Sequence, residues 1–142
     1  MYSLFSCKGR EEKNAEQVAQ EQYTPIPSKG MMDQINMADS AVVIYYEKAA
    51  DPRFFRVFKI QDLGLLKPVI SDVNSVLTDR KGNCQTMGKL YFYGKGDVVD
   101  VVYFSNADSC RYFSFIKNGE KYFTHMGDGA QRLIDSVKVY AK

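Results

Sequence analysis

Apolar positions recur along this chain with two periods, the alternation typical of strands and the three-to-four spacing typical of helices. Residues 41–46 are β-branched and aromatic, and they predict a strand. Residues 54–60 predict a second strand, whose alternate side chains fall on opposite faces. Asp51-Pro52 stands between the two runs and predicts the turn of a hairpin.

A helix is predicted directly after this hairpin. Asp62 has a side chain suited to a helix N-cap. The apolar positions that follow it keep to one face of a helix: Leu63, Leu66, Val69, Ile70, Val73, Val76 and Leu77. Pro68 interrupts the pattern, and proline is best tolerated in the first turn of a helix. We therefore expect the well-formed helix to run over residues 68–77.

The second half of the chain reads as a series of strands. Four apolar runs predict consecutive antiparallel strands, at residues 90–93, 98–104, 110–117 and 120–125. Asn118-Gly119 separates the last two, and it favours a two-residue type I′ hairpin because both residues accept positive φ. This turn sets the register, with Lys117 opposite Glu120 and Phe115 opposite Tyr122.

The order of the predicted elements gives a fold class. A last helix over residues 130–139 completes the series strand, strand, helix, four strands, helix. Such a series predicts an α+β fold: an antiparallel sheet, made of the N-terminal hairpin and the four-strand meander, with two helices packed on one face. Residues 8–30 are polar and offer few side chains to a core. We therefore expect residues 1–30 to hold a flexible tether and residues 31–142 to form a single domain.

The N-terminus carries Leu4-Phe5-Ser6-Cys7, followed at once by a polar stretch. This tetrapeptide resembles the end of a bacterial lipoprotein signal, and the chain is similar to the small envelope lipoproteins of Bacteroides-type bacteria. The resemblance implies a signal remnant, a lipid on Cys7 that attaches the protein to a membrane, and a place in the cell envelope, facing the periplasm or the surface. If Met1 is the true start, too few residues precede Cys7 for a signal, and a cytoplasmic location follows.

The same resemblance bears on the other two cysteines. With Cys7 lipidated, Cys84 and Cys110 are left as a possible pair, and a disulfide persists in an oxidising envelope. Cys84 precedes the first strand of the meander and Cys110 begins the third. These strands run in the same direction, so both cysteines lie at the same end of the sheet. We expect a Cys84–Cys110 disulfide, and the alternative is two separate buried thiols.

The net charge and the missing motifs argue against several classes of function. The formal net charge is +2, with Lys and Arg scattered among acids, so we expect no nucleic acid partner. A single histidine and no Cys-x-x-Cys pair predict no metal site. The chain lacks a nucleophile elbow, a dinucleotide fingerprint and a P-loop. We therefore predict no cofactor and no enzymatic activity.

The aromatic residues are the remaining signal. Alternation along 90–93 puts Leu90 and Phe92 on one face and Tyr91 and Tyr93 on the other. We expect the first row to lie beneath the helices and the tyrosine row to form a partly exposed binding surface. Its candidate residues are Tyr91, Tyr93, Tyr103 and Tyr112, together with Asp108 in the loop of residues 106–109. The alternative is that both rows are covered and serve only as core.

These observations predict a non-enzymatic, lipid-anchored envelope protein that binds an unknown envelope protein, a peptide or a glycan. Tyrosine suits this role because it brings large contact area at low entropy cost. The alternative function is inhibition of a hydrolase such as lysozyme or a protease, for which residues 106–109 are the candidate loop. A further alternative is an enzyme whose site is assembled from scattered residues.

Overall fold

The structure is a computed structural model and describes residues 26–27, 31–79, 83–107 and 109–141. Its two α-helices are α1 (Leu63–Val73) and α2 (Asp128–Tyr140), and a short 3₁₀ helix spans Asp33–Met37. The strands are β1 (Ile26–Pro27), β2 (Ser40–Lys48), β3 (Asp51–Ile60), β4 (Val76–Thr78), β5 (Gly88–Gly94), β6 (Asp97–Ala107), β7 (Cys110–Lys117) and β8 (Glu120–His125).

These strands form one antiparallel sheet in the order β1-β4-β8-β7-β6-β5-β2-β3. The predicted hairpin and meander therefore belong to the same sheet, and they join where β2 pairs with β5, Ala41 opposite Phe92. Both helices pack against the sheet, so the predicted α+β fold is confirmed. No helix in the described part of the chain is long and apolar enough to cross a membrane.

The core lies between the helices and one face of the sheet. Leu66, Val69, Ile134 and Val137 are the main helical contributors, and all four are buried. The sheet contributes Ala41, Val43, Leu90, Phe92, Val102, Phe104, Phe113 and Phe115. Full burial of an apolar side chain of this size is worth about 1.5–3 kcal/mol, so this layer fixes the orientation of the sheet.

The last hairpin forms as the sequence predicts. β7 and β8 have the predicted ends, and Asn118 and Gly119 between them have φ of 53° and 82°. Lys117 faces Glu120, and the rings of Phe115 and Tyr122 stack at 5.9 Å. β5 and β6 are longer than predicted, and β6 continues through Ala107, so the first two residues of the loop predicted at 106–109 belong to this strand.

The turn of the first hairpin lies two residues earlier in the chain than predicted. Asp51 and Pro52 belong to β3, and the turn lies at Ala49 and Ala50, so the prediction of a turn at Asp51-Pro52 is wrong. Ala50 has a φ of 63°. Its N–H donates a 2.7 Å hydrogen bond to the carbonyl oxygen of Thr86, which compensates for the left-handed conformation.

The bounds predicted for the first helix are also wrong. Asp62 caps the helix as predicted, because its carboxylate accepts a 2.9 Å bond from the Gly64 N–H, but α1 runs from Leu63 to Val73. Pro68 is inside it and packs close to Gly129 of α2. Val76 and Leu77 belong to β4, with Leu77 opposite Thr124, so their helical spacing does not mark a helix.

One strand falls in the segment predicted to be a tether. Ile26 and Pro27 pair with Leu77 and Val76. The other residues of 1–30, including Cys7, lie outside the described residues, and the division of the chain at residue 30 stays a prediction.

Candidate functional site

The side of the sheet turned away from the helices carries a group of tyrosines. We call this group, with the lysine among them, the tyrosine face: Tyr46, Lys89, Tyr91, Tyr93, Tyr103 and Tyr112. In β5, Leu90 and Phe92 are fully buried, whereas Tyr91 and Tyr93 beside them are only half-buried. Tyr103 and Tyr112 are also half-buried, so this row is partly exposed and is not a second covered core.

Strand register brings Lys89 to the centre of this face. Lys89 lies opposite Ile44 on one side and Tyr103 on the other, so the three side chains form one row across β2, β5 and β6. Tyr91 follows two residues along β5, and the Lys89 Nζ lies 5.2 Å from the centroid of the Tyr91 ring. This distance is within the range of a cation–π interaction.

The electrostatics of the cluster keep Lys89 charged. A hydrogen bond with Tyr91 raises the pKa of Lys89; burial opposes this effect, while the hydroxyls of Tyr91, Tyr46 and Tyr103 support it. Burial raises the pKa of Tyr46, and the charge of Lys89 lowers it in part. At neutral pH Lys89 is therefore an ammonium group.

Two shallow depressions flank Tyr46 on this face. The larger, of about 260 Å³, is lined by Tyr46, Ala50, Pro52, Thr86, Tyr103, Ile116 and Lys121. The smaller, of about 170 Å³, is lined by Ile44, Tyr46, Pro52, Phe55, Lys89 and Tyr91. Tyr46 and Pro52 belong to both, so they separate the two depressions, and each depression has a lysine.

The disulfide holds one wall of the larger depression. Cys84 and Cys110 are bonded, with Cα atoms 5.5 Å apart, which confirms the predicted pair. The segment that follows Cys84 is fixed to β6 on one side and to the turn between β2 and β3 on the other. Ser105 Oγ donates a 2.8 Å hydrogen bond to the Gln85 carbonyl oxygen, and the Ala50 N–H bonds the Thr86 carbonyl oxygen. Residues 83–87 therefore form a fixed rim that places Thr86 beside Tyr46.

The charge on the tyrosine face is positive. The central row across the sheet comprises Val57, Ile44, Lys89, Tyr103, Ser114 and Phe123. The next row contains Lys59, Val42, Tyr91 and Val101. Beyond them, the Lys121 Nζ lies 5.4 Å from the Phe123 ring centroid. None of the residues that the register places in these two rows is acidic, so the surface favours anionic groups.

The structure brings only some of the predicted site residues together. Tyr91 and Tyr103 join Lys89 in the central cluster. Tyr93 lies further along β5, where it lines a separate hollow with Gly96. Tyr112 packs edge-on against His125, with ring centroids 5.8 Å apart. Asp108 and Cys7 lie outside the described residues.

Sequence reasoning missed Tyr46, Pro52, Lys89 and Lys121. Tyr46 is two residues from Ile44, and Lys89 is two residues from Tyr91, so the sequence alone places each on the same face of its strand as that neighbour. What the sequence does not show is that β2 pairs with β5 across about forty residues. Without that pairing, Tyr46 and Lys89 have no reason to meet.

A larger hollow lies elsewhere, between the 3₁₀ helix and α1, with a volume of about 620 Å³. The Asn74 Nδ2 group donates a 3.1 Å bond to Asn36 Oδ1 across it, so these two amides bind each other. The described residues contain no group of three or more His, Cys, Asp or Glu able to hold a metal ion.

Comparison with protein-family models, with curated proteins and with solved structures finds no match to this chain.

Proposed function

We propose that this chain is a non-enzymatic binding module of the bacterial cell envelope, anchored by a lipid on Cys7, and that its tyrosine face binds an envelope protein, a peptide or a glycan. The observation that carries the proposal is the Lys89 ammonium group, framed by Tyr46, Tyr91 and Tyr103 on the side of the sheet turned away from the helices. This arrangement combines a fixed cation with aromatic contact area.

The rigidity of the face supports a binding role. Each tyrosine stands on a strand whose opposite side is packed beneath the helices, so little side-chain or backbone entropy is lost on binding. Tyrosine adds a hydroxyl for hydrogen bonding to a large apolar ring. The rim at residues 83–87, held by the disulfide, fixes the position of Thr86 in the same way.

The shape of the face indicates the kind of ligand. Sites that enclose a small molecule have volumes of about 300–1,000 Å³. The two depressions, of about 260 and 170 Å³, are smaller and share the Tyr46–Pro52 divide. They suit an extended chain lying across the surface, with anionic groups near Lys89 and Lys121.

The envelope location is supported by two features of the sequence and structure. Leu4-Phe5-Ser6-Cys7 resembles a lipoprotein signal end. The Cys84–Cys110 disulfide is of the kind that persists in oxidising compartments and is rare in the cytosol. Together they favour a protein attached to a membrane and exposed to the periplasm or the surface.

The hydrolase-inhibitor alternative depends on the loop at residues 106–109. The Asn106 side chain is bound to Tyr45: its Nδ2 donates a 3.0 Å bond to the hydroxyl, which in turn lies 3.3 Å from Asn106 Oδ1. A side chain held in this way is not available to an enzyme. No observation in the described residues favours the inhibitor over the tyrosine face.

The proposal is tested by measuring binding of the full chain to extended probes of different charge. We expect binding to poly-L-glutamate or polygalacturonate, and none to neutral dextran or poly-L-lysine. Lys89→Gln should weaken the binding about tenfold, the effect of losing one charge-assisted contact. The pair Tyr91→Ser and Tyr103→Ser should separately weaken it by about the same factor, because two aromatic contacts are lost.

Matched controls come from α2. Lys138→Gln removes a lysine and Tyr140→Ser removes a tyrosine that is exposed outside the tyrosine face. Both controls should bind as the wild type does. Equal losses in Lys89→Gln and Lys138→Gln, or no binding of either anionic probe, would contradict the proposal.

A further inference from the structure

The segment directly before β1 is acidic. Residues 11–25 have a formal net charge of −3, because they contain one basic residue, Lys13, and four glutamates: Glu11, Glu12, Glu16 and Glu21. We call this segment the acidic tail. The side of the sheet that carries the tyrosine face has the opposite charge, with Lys89 in its central row and Lys121 beside Phe123. The acidic tail and this surface are therefore complementary in charge.

The pairing of β1 fixes the direction from which the acidic tail comes. Ile26 lies opposite Leu77, and Leu77 lies opposite Thr124, so these three residues form one row across β1, β4 and β8. Both pairings are antiparallel, and β1 consequently runs parallel to β8. Since Lys121 precedes Thr124 in β8, the chain before Ile26 enters the sheet from the end at which Lys121 lies.

The acidic tail lies outside the described residues, and chain length sets how far it can reach. Thr124 is two strand spacings, or about 9.6 Å, from Ile26, and Lys121 is three residues, or about 10 Å, further along β8. The Cα atoms of Ile26 and Lys121 are therefore about 14 Å apart. Glu21 is five residues from Ile26, and five residues of extended chain span about 17 Å. Glu21 can thus reach Lys121.

The spacing of two glutamates in the tail matches the spacing of the two lysines. Lys89 and Phe123 share one row, three strands apart, and Lys121 is two residues from Phe123. The Cα atoms of Lys89 and Lys121 are therefore about 16 Å apart. Glu16 is five residues from Glu21, which is again about 17 Å of extended chain. Lysine carries its ammonium group on a flexible stem, so these contacts do not require the tail to be a regular strand.

We propose that the acidic tail lies across the tyrosine face, with Glu21 at Lys121 and Glu16 at Lys89, and that it occupies the place of the external anionic chain. This inference rests on the proposed function, because it describes how the same site is regulated. An external ligand must displace the tail before it binds.

Attachment to the same chain lets a weak contact compete with a ligand. Exposed ion pairs contribute little individually, so the tail would bind poorly as a separate peptide. A short linker holds it near the face at an effective concentration of the order of millimolar. The apparent affinity for an external chain falls in proportion to the fraction of molecules whose face is free. The acidic tail therefore sets the ligand concentration at which the face becomes occupied.

A zero-length carbodiimide cross-link tests the placement of the tail without any ligand. The full chain with Cys7→Ser is treated at low concentration, and the monomeric product is digested and analysed by mass spectrometry. We expect amide links from Glu21 to Lys121 and from Glu16 to Lys89, because this reagent joins only carboxylates and amines that are in contact.

Two lysines on the helices serve as matched controls for the cross-link. Lys67 lies in α1 and Lys138 in α2, on the other side of the sheet from the tyrosine face. Neither should be linked to the acidic tail. Tail links to these two lysines as often as to Lys89 and Lys121, or no tail links at all, would overturn the proposal.

Removal of charge from the tail tests displacement. The pair Glu16→Gln and Glu21→Gln should strengthen binding of poly-L-glutamate about tenfold, the gain expected if the face is free in about one molecule in ten. The control pair Asp128→Asn and Asp135→Asn removes the same charge from exposed positions of α2 and should bind as the parent chain does. An equal gain in both pairs, or no gain in the tail pair, contradicts the inference.

The two experiments separate this inference from the proposed function. Tail links at Lys89 and Lys121 without any binding of poly-L-glutamate would support the placement of the tail and contradict the proposed function. Binding of poly-L-glutamate at the tyrosine face without tail links would support the proposed function and overturn the placement of the tail.

Discussion

Asp72, near the end of α1, binds Gly127, the N-cap residue of α2. The Asp72 Oδ2 atom accepts a 2.8 Å hydrogen bond from the Gly127 N–H, which satisfies one of the free donors at the start of a helix. The fit is close, because a Cβ on Gly127 would lie 3.3 Å from the same oxygen. The two helices that cover the sheet are thus joined at one point by a carboxylate.

This carboxylate gives a pH-dependent prediction. Burial raises the pKa of Asp72, although the bond from Gly127 and the nearby His125 lower it in part. A group whose pKa is raised by folding contributes most to the free energy of unfolding below its unfolded pKa. That contribution falls as the pH rises through the folded pKa. Asp72→Asn keeps an acceptor for Gly127 and removes the charge. Its free energy of unfolding should therefore rise relative to wild type as the pH increases above the unfolded aspartate pKa of about 4.

Urea unfolding of wild type and Asp72→Asn at several pH values measures this difference. Asp72→Ala is the companion variant, since it also removes the hydrogen bond and should lose about 1–3 kcal/mol at neutral pH. A difference between Asp72→Asn and wild type that falls as pH rises would show that the charge stabilises the folded protein.

Turn chemistry explains what the sequence predicts well. Asn118-Gly119 admits one kind of hairpin, and it fixes the register of β7 and β8 down to Lys117 and Glu120. The end of the helix that follows Asp62 is harder to predict, because Val76 and Leu77 continue its apolar spacing by chance although they belong to β4. The contact of Pro68 with Gly129 is tertiary and leaves no local signal.

Only part of the candidate site could be predicted from the sequence, because the rest depends on contacts between distant segments of the chain. Alternation in β5 alone places Tyr91 and Tyr93 away from Leu90 and Phe92. The meeting of Lys89 with Tyr46 depends on pairing between β2 and β5, which are far apart in the chain. Such non-local register is set by the whole packed sheet.

The disulfide should contribute to both stability and binding. Cys84 and Cys110 are separated by 26 positions, and closing a loop of this length stabilises a protein by about 3.5 kcal/mol under the chain-entropy account. The double variant Cys84→Ser and Cys110→Ser should lose about that much in urea unfolding. It should also bind poly-L-glutamate more weakly, because the rim at residues 83–87 loses one attachment.

A comparison with reduced wild-type protein separates the bond from the substitution. Both forms should lose stability to a similar extent. Unchanged binding in a folded, reduced protein would mean that the rim is held by the Ser105 and Ala50 hydrogen bonds alone.

The tyrosine face should be visible in an alkaline titration. Burial raises the pKa of Tyr46, so its phenol should ionise above the ordinary tyrosine value of about 10. Because folding raises the pKa of Tyr46, its neutral phenol stabilises the folded protein below the unfolded pKa. This stabilisation is lost as the pH rises through the folded pKa. An absorbance titration of Tyr46→Phe should therefore lack the tyrosine that ionises at the highest pH. A high-pH component that persists in this variant assigns it to another tyrosine.

The anchor is tested by intact mass. Protein expressed from its native locus, with any upstream sequence, should begin at Cys7 and carry a diacyl or triacyl increment there. Alkylation before reduction should label no thiol, since Cys84 and Cys110 are bonded to each other. A mass that begins at Met1, with Cys7 open to alkylation, would contradict the lipid anchor.

The central claim is that the tyrosine face binds an anionic extended ligand. Nuclear magnetic resonance titration of the full chain with oligoglutamate and oligogalacturonate tests it most directly. We predict that the resonances of Lys89, Tyr91 and Tyr103 shift on addition of at least one of the two, while those of Lys138 and Tyr140 in α2 do not. Shifts confined to the hollow beside Asn36 and Asn74, or no shifts with either probe, would contradict the account.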